Sequence, residues 1–383
     1  MGPMGPGFPL ERLIRVVHGG DRGDRWLARH RGQRPYFACV LGFTETALLP
    51  GISAAGASPD DRRHTALADG EFLIAGPQVR PRYPLPPLDA GVSPAAISRA
   101  IVTALDIPTC LMDAGLPEPL PVPAIALAGA QTARCLSTGQ ALDRAAVDQL
   151  VAAGLEWGDR LGRQAGPRGY VIVGECVVGG TTTALGVLRA LGYAADGLVN
   201  SSHPQCNHGQ KAALVAQGLA RSALKIPAPP RDAIAALGDP MQAAAAAIAL
   251  AASRHGGVLL AGGTQMLAVY ALARAIAQGE QRPWHPEAIA IGTTRWVIDD
   301  PSASAQRLAA LLTEGDDAPC LLASELNFSG ASLPALRAYE AGFVKEGVGA
   351  GGCAIAASLY GGWDSDGILA AIETLLHTPP AKS

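Results

Sequence analysis

The segment Gly169-Tyr-Val-Ile-Val-Gly174-Glu175-Cys-Val-Val-Gly179-Gly180-Thr181-Thr182-Thr183-Ala-Leu-Gly-Val-Leu reads as a buried strand, a glycine turn and a hydroxyl-rich helix start. Gly174-x4-Gly179-Gly180-Thr181 has the spacing of a triphosphate-binding loop, with glycine where that loop carries its lysine. A γ-phosphate would meet no cation here. What remains is a glycine pair that lets the backbone approach an anion, and a helix N-terminus whose free N–H groups and dipole favour negative charge. That suits a phosphomonoester. Glu175 would repel it unless the carboxylate faces another part of the ligand, such as a ribose hydroxyl. The segment points to a nucleotide monophosphate or sugar phosphate, or else to a Gly-Thr turn that merely starts a core helix.

Two more corners share this grammar: Ala261-Gly262-Gly263-Thr264-Gln265-Met266 and Gly292-Thr293-Thr294-Arg295. Three such corners along one sheet suggest a broad polar cleft lined by backbone N–H groups and threonine hydroxyls. Lys211 stands at the expected start of a helix, where a cation opposes the dipole. A substrate phosphate would offset it; a solvated surface lysine is the alternative. His203-x2-Cys206-x-His208 has the look of metal ligands, but no second Cys/His cluster completes a zinc site, so no metal is expected. Asp299 and Asp300 precede Pro301-Ser302, which reads as a helix start capped by Asp300, and both are taken as structural. Finally, Lys345-Glu346 leads into glycines at 347, 349, 351 and 352. Such a run costs stability unless a ligand or another segment comes close to the bare backbone. Glu346 at its mouth, desolvated by a bound aromatic substrate, would have a raised pKa and act as general base. The alternative is a Lys345–Glu346 surface pair.

The elements that must position these residues are strands at 36–41, 122–127, 170–173, 257–260, 288–291 and 320–323, each a continuous apolar run. Helical stretches separate most of them, at 95–105, 143–164, 182–191, 211–224, 264–277, 303–312 and 367–377. The clearest is Ala-rich, with Asp239 as N-cap, Pro240 at the first position and Gly256-Gly257 as the stop. Alternating helices and apolar strands predict an α/β fold, a parallel sheet with helices on both faces. Its ligands should bind beyond the carboxyl ends of the strands.

At 383 residues, with 49% hydrophobic and 16% charged, the chain should bury a sizeable core in one large domain with a smaller helical appendage. A net charge of -3 offers no basic excess for nucleic acid. No apolar run is long enough for a membrane span. The Met-Gly-Pro-Met-Gly-Pro start lacks the features of a signal peptide and is expected to be a frayed tail, and 77–87 an extended Pro-rich connector. Seven dispersed cysteines, an odd number, look like reduced residues of a cytoplasmic protein.

Taken together, Gly174-Glu175-x3-Gly179-Gly180-Thr-Thr-Thr-Ala, Gly262-Gly263-Thr264-Gln265-Met266 and Lys345-Glu346-Gly347-Val-Gly349-Ala resemble the nicotinate-nucleotide:dimethylbenzimidazole phosphoribosyltransferase family of cobamide synthesis. Thr44-Glu45-Thr46-Ala47-Leu-Leu-Pro50-Gly51-Ile52-Ser53-Ala54-Ala55-Gly56 resembles its divergent cyanobacterial and archaeal branch, so the likeness spans roughly 36–360. The resemblance implies a Rossmann-like large domain, here 36–354, a smaller one from the chain ends, 1–35 and 355–383, and a homodimer. It implies transfer of ribose 5-phosphate from nicotinate mononucleotide to a purine or benzimidazole base, without metal or cofactor. Glu346 matches the family's general base and Glu175 a second glutamate. Lys211 matches a lysine near the phosphate. Gly179, Gly180, Thr181, Thr182, Thr183, Gly262, Gly263, Gly347 and Gly349 fall on substrate-binding segments. Lys345, Val348 and Gly180 depart from the family's Gly, Thr and Asn, and no match is found for the residues that hold dimethylbenzimidazole. Adenine is therefore an alternative acceptor.

Overall fold

A computed structural model describes residues 13–85, 91–315 and 317–377. The expected N-terminal tail and the last two residues of the 77–87 connector lie outside the described residues. Eight strands form one sheet: β1 (Ile14–His18), β2 (Tyr36–Leu41), β3 (Thr109–Asp113), β4 (Ile125–Ala126), β5 (Tyr170–Cys176), β6 (Gly257–Ala261), β7 (Ile289–Thr294) and β8 (Cys320–Ser324). Their order is β1-β8-β7-β6-β5-β2-β3-β4. Only β1 runs antiparallel, against β8; every other pairing is parallel.

Successive side chains of a strand point to opposite faces, and the core divides accordingly. Val171, Val173, Val258 and Leu260 pack on one face with the helices Arg144–Ala165, Gly180–Ala190, Pro240–Ala252 and Thr264–Gly279. Tyr170, Ile172, Leu259 and Ala261 pack on the other with Pro59–Ala75, Ala95–Ala104, Ala350–Ala356 and Ser365–His377. The Ala-rich helix is buried along its whole length, and its Asp239 side chain accepts from Gln242 N as expected of an N-cap. The neighbouring Arg144–Ala165 helix lies against it backbone to backbone: a Cβ on Gly158 would come within 2.4 Å of Ile248 O. Few aromatics and much Ala and Gly thus translate into close helix packing.

Four local readings need correction. Ile14–His18, assigned to the helical terminal segment, is an edge strand of the main sheet. The strand expected at 122–127 shrinks to Ile125–Ala126, because Pro121 and Pro123 bring no N–H to a ladder. Lys211 does not start its helix, which runs His208–Ser222. The helix expected from 303 is Ala305–Leu311, capped by the Ser304 side chain and not by Asp300.

From β2 the chain moves outward to β3 and β4, then returns to place β5 on the other side of β2. Connections on either side of this switch point diverge and leave a crevice at the carboxyl ends of β2 and β5. No helix among the described residues is long and apolar enough to cross a membrane.

Candidate active site

A cleft of ≈ 760 Å³, its open mouth included, occupies that crevice. One wall is the corner after β5. Gly179 adopts the left-handed conformation, φ 81°, and caps the helix Gly180–Ala190, so Gly179, Gly180 and Thr181 face the cleft. Thr182 and Thr183 do not. Both are buried, and Thr183 Oγ1 donates to Asp239 Oδ2 at 2.5 Å, tying two helix starts together. They are packing residues, a correction to their expected binding role. Gly180 is bare for a specific reason: a Cβ there would lie 2.6 Å from Gln265 Nε2. Gln265 crosses that gap to donate to Glu175 Oε2 at 2.6 Å. Gly263 lines the cleft as cap of the helix Thr264–Gly279, whereas Gly262 sits behind it and leaves room for the Glu175 side chain.

Glu175 is the penultimate residue of β5, buried, and unpaired with any cation among the described residues. Burial first, then the Glu346 and Asp239 carboxylates, push its carboxyl up to about 8. Glu346 comes from the glycine loop on the opposite wall. Its Oε2 accepts from Thr293 Oγ1 at 3.1 Å and Thr294 N at 2.9 Å, and its Oε1 from Gly347 N at 3.2 Å and Gly351 N at 3.0 Å. Burial raises its carboxyl to about 7, and those four bonds lower it only in part. A carboxyl poised near neutrality can accept a proton once one of these four donors yields its lone pair.

The glycines of that loop divide by task. Gly347 lines the cleft; Gly349 caps the helix Ala350–Ala356 and packs on Phe37, outside the cleft. Gly351, read from sequence only as one of the glycine run, is bare because a Cβ there would lie 2.5 Å from Glu346 Oε2 and 2.2 Å from Thr293 C.

Lys211 does not reach the cleft. It is fully buried, and its Nζ donates to Val199 O at 2.6 Å and Asn200 O at 2.8 Å. Burial lowers its ammonium to about 8. The lysine that does line the cleft is Lys345, buried and not on the surface. Its Nζ donates to Asp300 Oδ2 at 2.7 Å, to His203 O at 2.8 Å and to Ser201 O at 3.3 Å. Burial alone would raise the Asp300 carboxyl, but the bonds from Lys345, Ser302 and Asn200 bring it down to about 2. Asp300 thus holds the Lys345 charge away from Glu346. Asp299, by contrast, is an exposed partner of Arg15. The carbonyls of Val199, Asn200, Ser201 and His203 are therefore occupied by two ammonium groups, which sets the wall formed by Asn200, Ser201 and Ser202. The Ser201 hydroxyl on this wall is buried and has no protein partner among the described residues.

His203, Cys206 and His208 bind backbone carbonyls or Asp300, and no group of three or more His, Cys, Asp or Glu among the described residues could hold a metal. Sequence reasoning assigned no site role to Ser53, Thr65, Asp69 or Pro94, all of which line the cleft. The only signal was Asp69 itself, an acidic residue within the apolar surroundings of Ala66-Leu67-Ala68.

Residues 92–286 match the model of a family described as Phosphoribosyltransferase. A UPF0284 protein of Cyanothece sp. is 60% identical over 364 residues, covering 95% of this chain and 96% of that protein. A UPF0284 protein of Microcystis aeruginosa is 55% identical over 364 residues, covering 95% and 98%. The crystal structure of a nicotinate-nucleotide-dimethylbenzimidazole phosphoribosyltransferase from Thermus thermophilus shares the fold, with a TM-score of 0.59 at 17% identity over 97% of this chain and 94% of that one.

Proposed function

The chain belongs to the phosphoribosyltransferase family, and from that premise we propose that it transfers ribose 5-phosphate from nicotinate mononucleotide to a lower-ligand base for cobamide assembly. The observation that carries this is Glu346, a carboxyl fixed in the same cleft as a helix start that suits one phosphate. The phosphate lies against Gly179, Gly180 and Thr181, where the helix dipole offsets its charge without a lysine; the Gly180 N–H is itself taken by Val177 O at 3.1 Å. Gly263, Gly347 and the Ser201 hydroxyl border the ribose.

The bond from ribose C1 to the pyridinium nitrogen breaks, and nicotinate leaves with the electron pair. The acceptor's ring nitrogen bonds to C1 from the opposite face, giving an α-ribotide. Glu346 takes the N–H proton as that bond forms, an effect on the order of a hundredfold or more. Glu175, protonated near neutrality, presents no charge to the phosphate and can donate to a ribose hydroxyl. The protein chiefly positions two reactants and excludes water. The partners are small molecules, and the setting is a cytoplasmic homodimer; seven free cysteines accord with a reducing compartment.

Incubation with nicotinate mononucleotide, with and without adenine or dimethylbenzimidazole, tests the reading. Nicotinate released only when a base is present supports transfer. Release without any base would make the protein a hydrolase, and binding without release a nucleotide-binding protein.

A further inference from the structure

Gln265, the second residue of the helix Thr264–Gly279, belongs to neither the glycine corner nor the carboxyl pair, yet touches both. It is 8% exposed and lines the cleft. Its Nε2, which donates to Glu175 Oε2 at 2.6 Å, also stands 2.6 Å from where a Cβ on Gly180 would lie. Its Cδ and Oε1 stand 3.0 and 3.3 Å from the same point, so the amide lies along the bare Cα of Gly180. A primary amide nitrogen carries two N–H groups, and Glu175 takes one. The corner has use for the other. The Gly180 N–H is spent on Val177 O, and Gly179, Gly180 and Thr181 bring no cation. An N–H given to an anion there is charge-assisted and correspondingly strong.

The other end of the bond matters as much. Every titratable group that acts on the Glu175 carboxyl, or on which it acts, is acidic: Glu346 from the glycine loop, Asp239 from the start of the Ala-rich helix, Cys39 from β2 and Cys176 beside it. Burial and the two carboxylates favour its protonated form, while the bonds from Gln265 and the Val177 backbone oppose it. A protonated carboxyl has one O–H, and the oxygen that receives an N–H is the carbonyl one. Gln265 therefore assigns the proton to Oε1, the oxygen that Gly262 leaves room for.

We propose that Gln265 is a positioning residue that couples the phosphate corner to Glu175, giving one N–H of its amide to Glu175 Oε2 and the other, across Gly180, to the phosphate of the bound nucleotide. This rests on the reading above for the place of the phosphate, but not on transfer itself. One side chain then orders the anion and the carboxyl proton together. The bare Gly180 is what allows it, since any side chain there would push the amide out of line.

The test uses ribose 5-phosphate as ligand and two variants, Gln265→Met, of similar length without a donor, and Gly180→Ala. By calorimetry, Gln265→Met should bind ribose 5-phosphate about tenfold more weakly than the wild type. In the ligand-free protein the Glu175 titration is read from Tm against pH. Its folded-state carboxyl lies at about 8, above the ordinary 4.5, so wild-type Tm should fall with rising pH and level off beyond about 8. Loss of the Gln265 bond raises that carboxyl further, and the fall should continue to higher pH in Gln265→Met. Gly180→Ala should reproduce this shift with Gln265 intact, because the three atoms nearest the added Cβ all belong to the flexible Gln265 side chain. The double variant should shift no further than Gln265→Met. A purely structural role would lower Tm equally at every pH, with additive losses. An unchanged affinity, an unchanged pH profile in either variant, additive shifts, or failure of ribose 5-phosphate to bind the wild type would each overturn the proposal. Gly180→Ala decides should Gln265→Met not fold. Ribose 5-phosphate is neither donor nor acceptor, so the coupling can fail in a protein that releases nicotinate and can hold in one that releases none.

Discussion

Two loops meet over the cleft and reach their shapes by opposite means. In the corner after β5 the left-handed residue is a glycine, Gly179, and its neighbour Gly180 is bare where Gln265 crosses. In the loop that carries Glu346, glycines 342, 347 and 349 share the left-handed region with Val344, Lys345 and Val348, at φ 62°, 69° and 53°. Non-glycine residues so placed cost of order 1–3 kcal/mol each. The surroundings hold them there: Lys345 pairs with Asp300, Val344 N donates to Ser202 O at 3.2 Å and Val348 N to Glu175 O at 2.9 Å. Ser98 Oγ adds a bond to Val348 O at 2.8 Å. The difference teaches what each loop is for. An anion corner needs only a permissive backbone, whereas a carboxyl kept half-protonated near neutrality needs a scaffold that excludes water while keeping cations away.

The largest expected effect tests the second half of that contrast. Glu346→Gln keeps the shape but removes the proton acceptor, so transfer should fall about a hundredfold or more while nucleotide binding persists. Full activity in this variant would remove Glu346 from the chemistry. In the wild type the rate should rise with pH through about 7, as the Glu346 carboxyl ionises.

Lys345→Gly weighs strain against pairing directly. Relief of the left-handed lysine gains roughly 1–3 kcal/mol. Leaving Asp300 buried and unpaired costs about 3–5 kcal/mol. Urea unfolding should therefore show a net loss of about 2 kcal/mol, partly restored by adding Asp300→Asn. A gain in stability would show that the strain outweighs the pair.

Glu175→Gln probes burial through pH. The folded-state carboxyl sits at about 8 against an ordinary 4.5, so across that window the folded protein keeps a proton that the unfolded chain has lost. Wild-type stability must then fall as pH rises from about 4.5 to 8, and Gln escapes this. The Tm of Glu175→Gln should exceed the wild-type value at pH 8, with the gap closing toward pH 4.5. A gap that is constant with pH would place the effect in packing.

The smallest effect is expected at Val344→Gly. Lost backbone strain is offset by greater unfolded-chain freedom and lost packing of a half-buried side chain, for a net change within about 1 kcal/mol. A large stabilisation would mean that Val344, and not the Lys345 pair, carries most of the loop's strain.

Much of the fold was legible because it was written locally. Apolar strand runs and the Asp239-Pro240 helix start lie within a few residues of what they specify. So do the glycine corners, and Glu346 was legible from the glycines around it. The β1 edge strand was missed because Ile14–His18 is only partly covered and lacks a continuous apolar run. Lys211 and Lys345 are both buried in internal pairings away from their expected places, since nothing in their spacing tells which carbonyls or carboxylates will take an ammonium group. Asp69 was invisible for the same reason. One of several charged residues on the helix Pro59–Ala75, it carries no sign of which cavity it will face.

By itself the sequence determined where backbone could be bare, which runs would be buried, and which carboxylate stood beside the glycines. These are properties of neighbouring residues and elementary sterics. Only the tertiary structure decided how charges far apart in the chain would be paired or left alone. It placed Asp300 against Lys345 and so kept that cation from Glu346; it also put Glu175 within reach of Glu346, and Asp69 in the lining of the same cleft. Electrostatic energies depend on distance and on excluded water, and both are set by packing across the sheet.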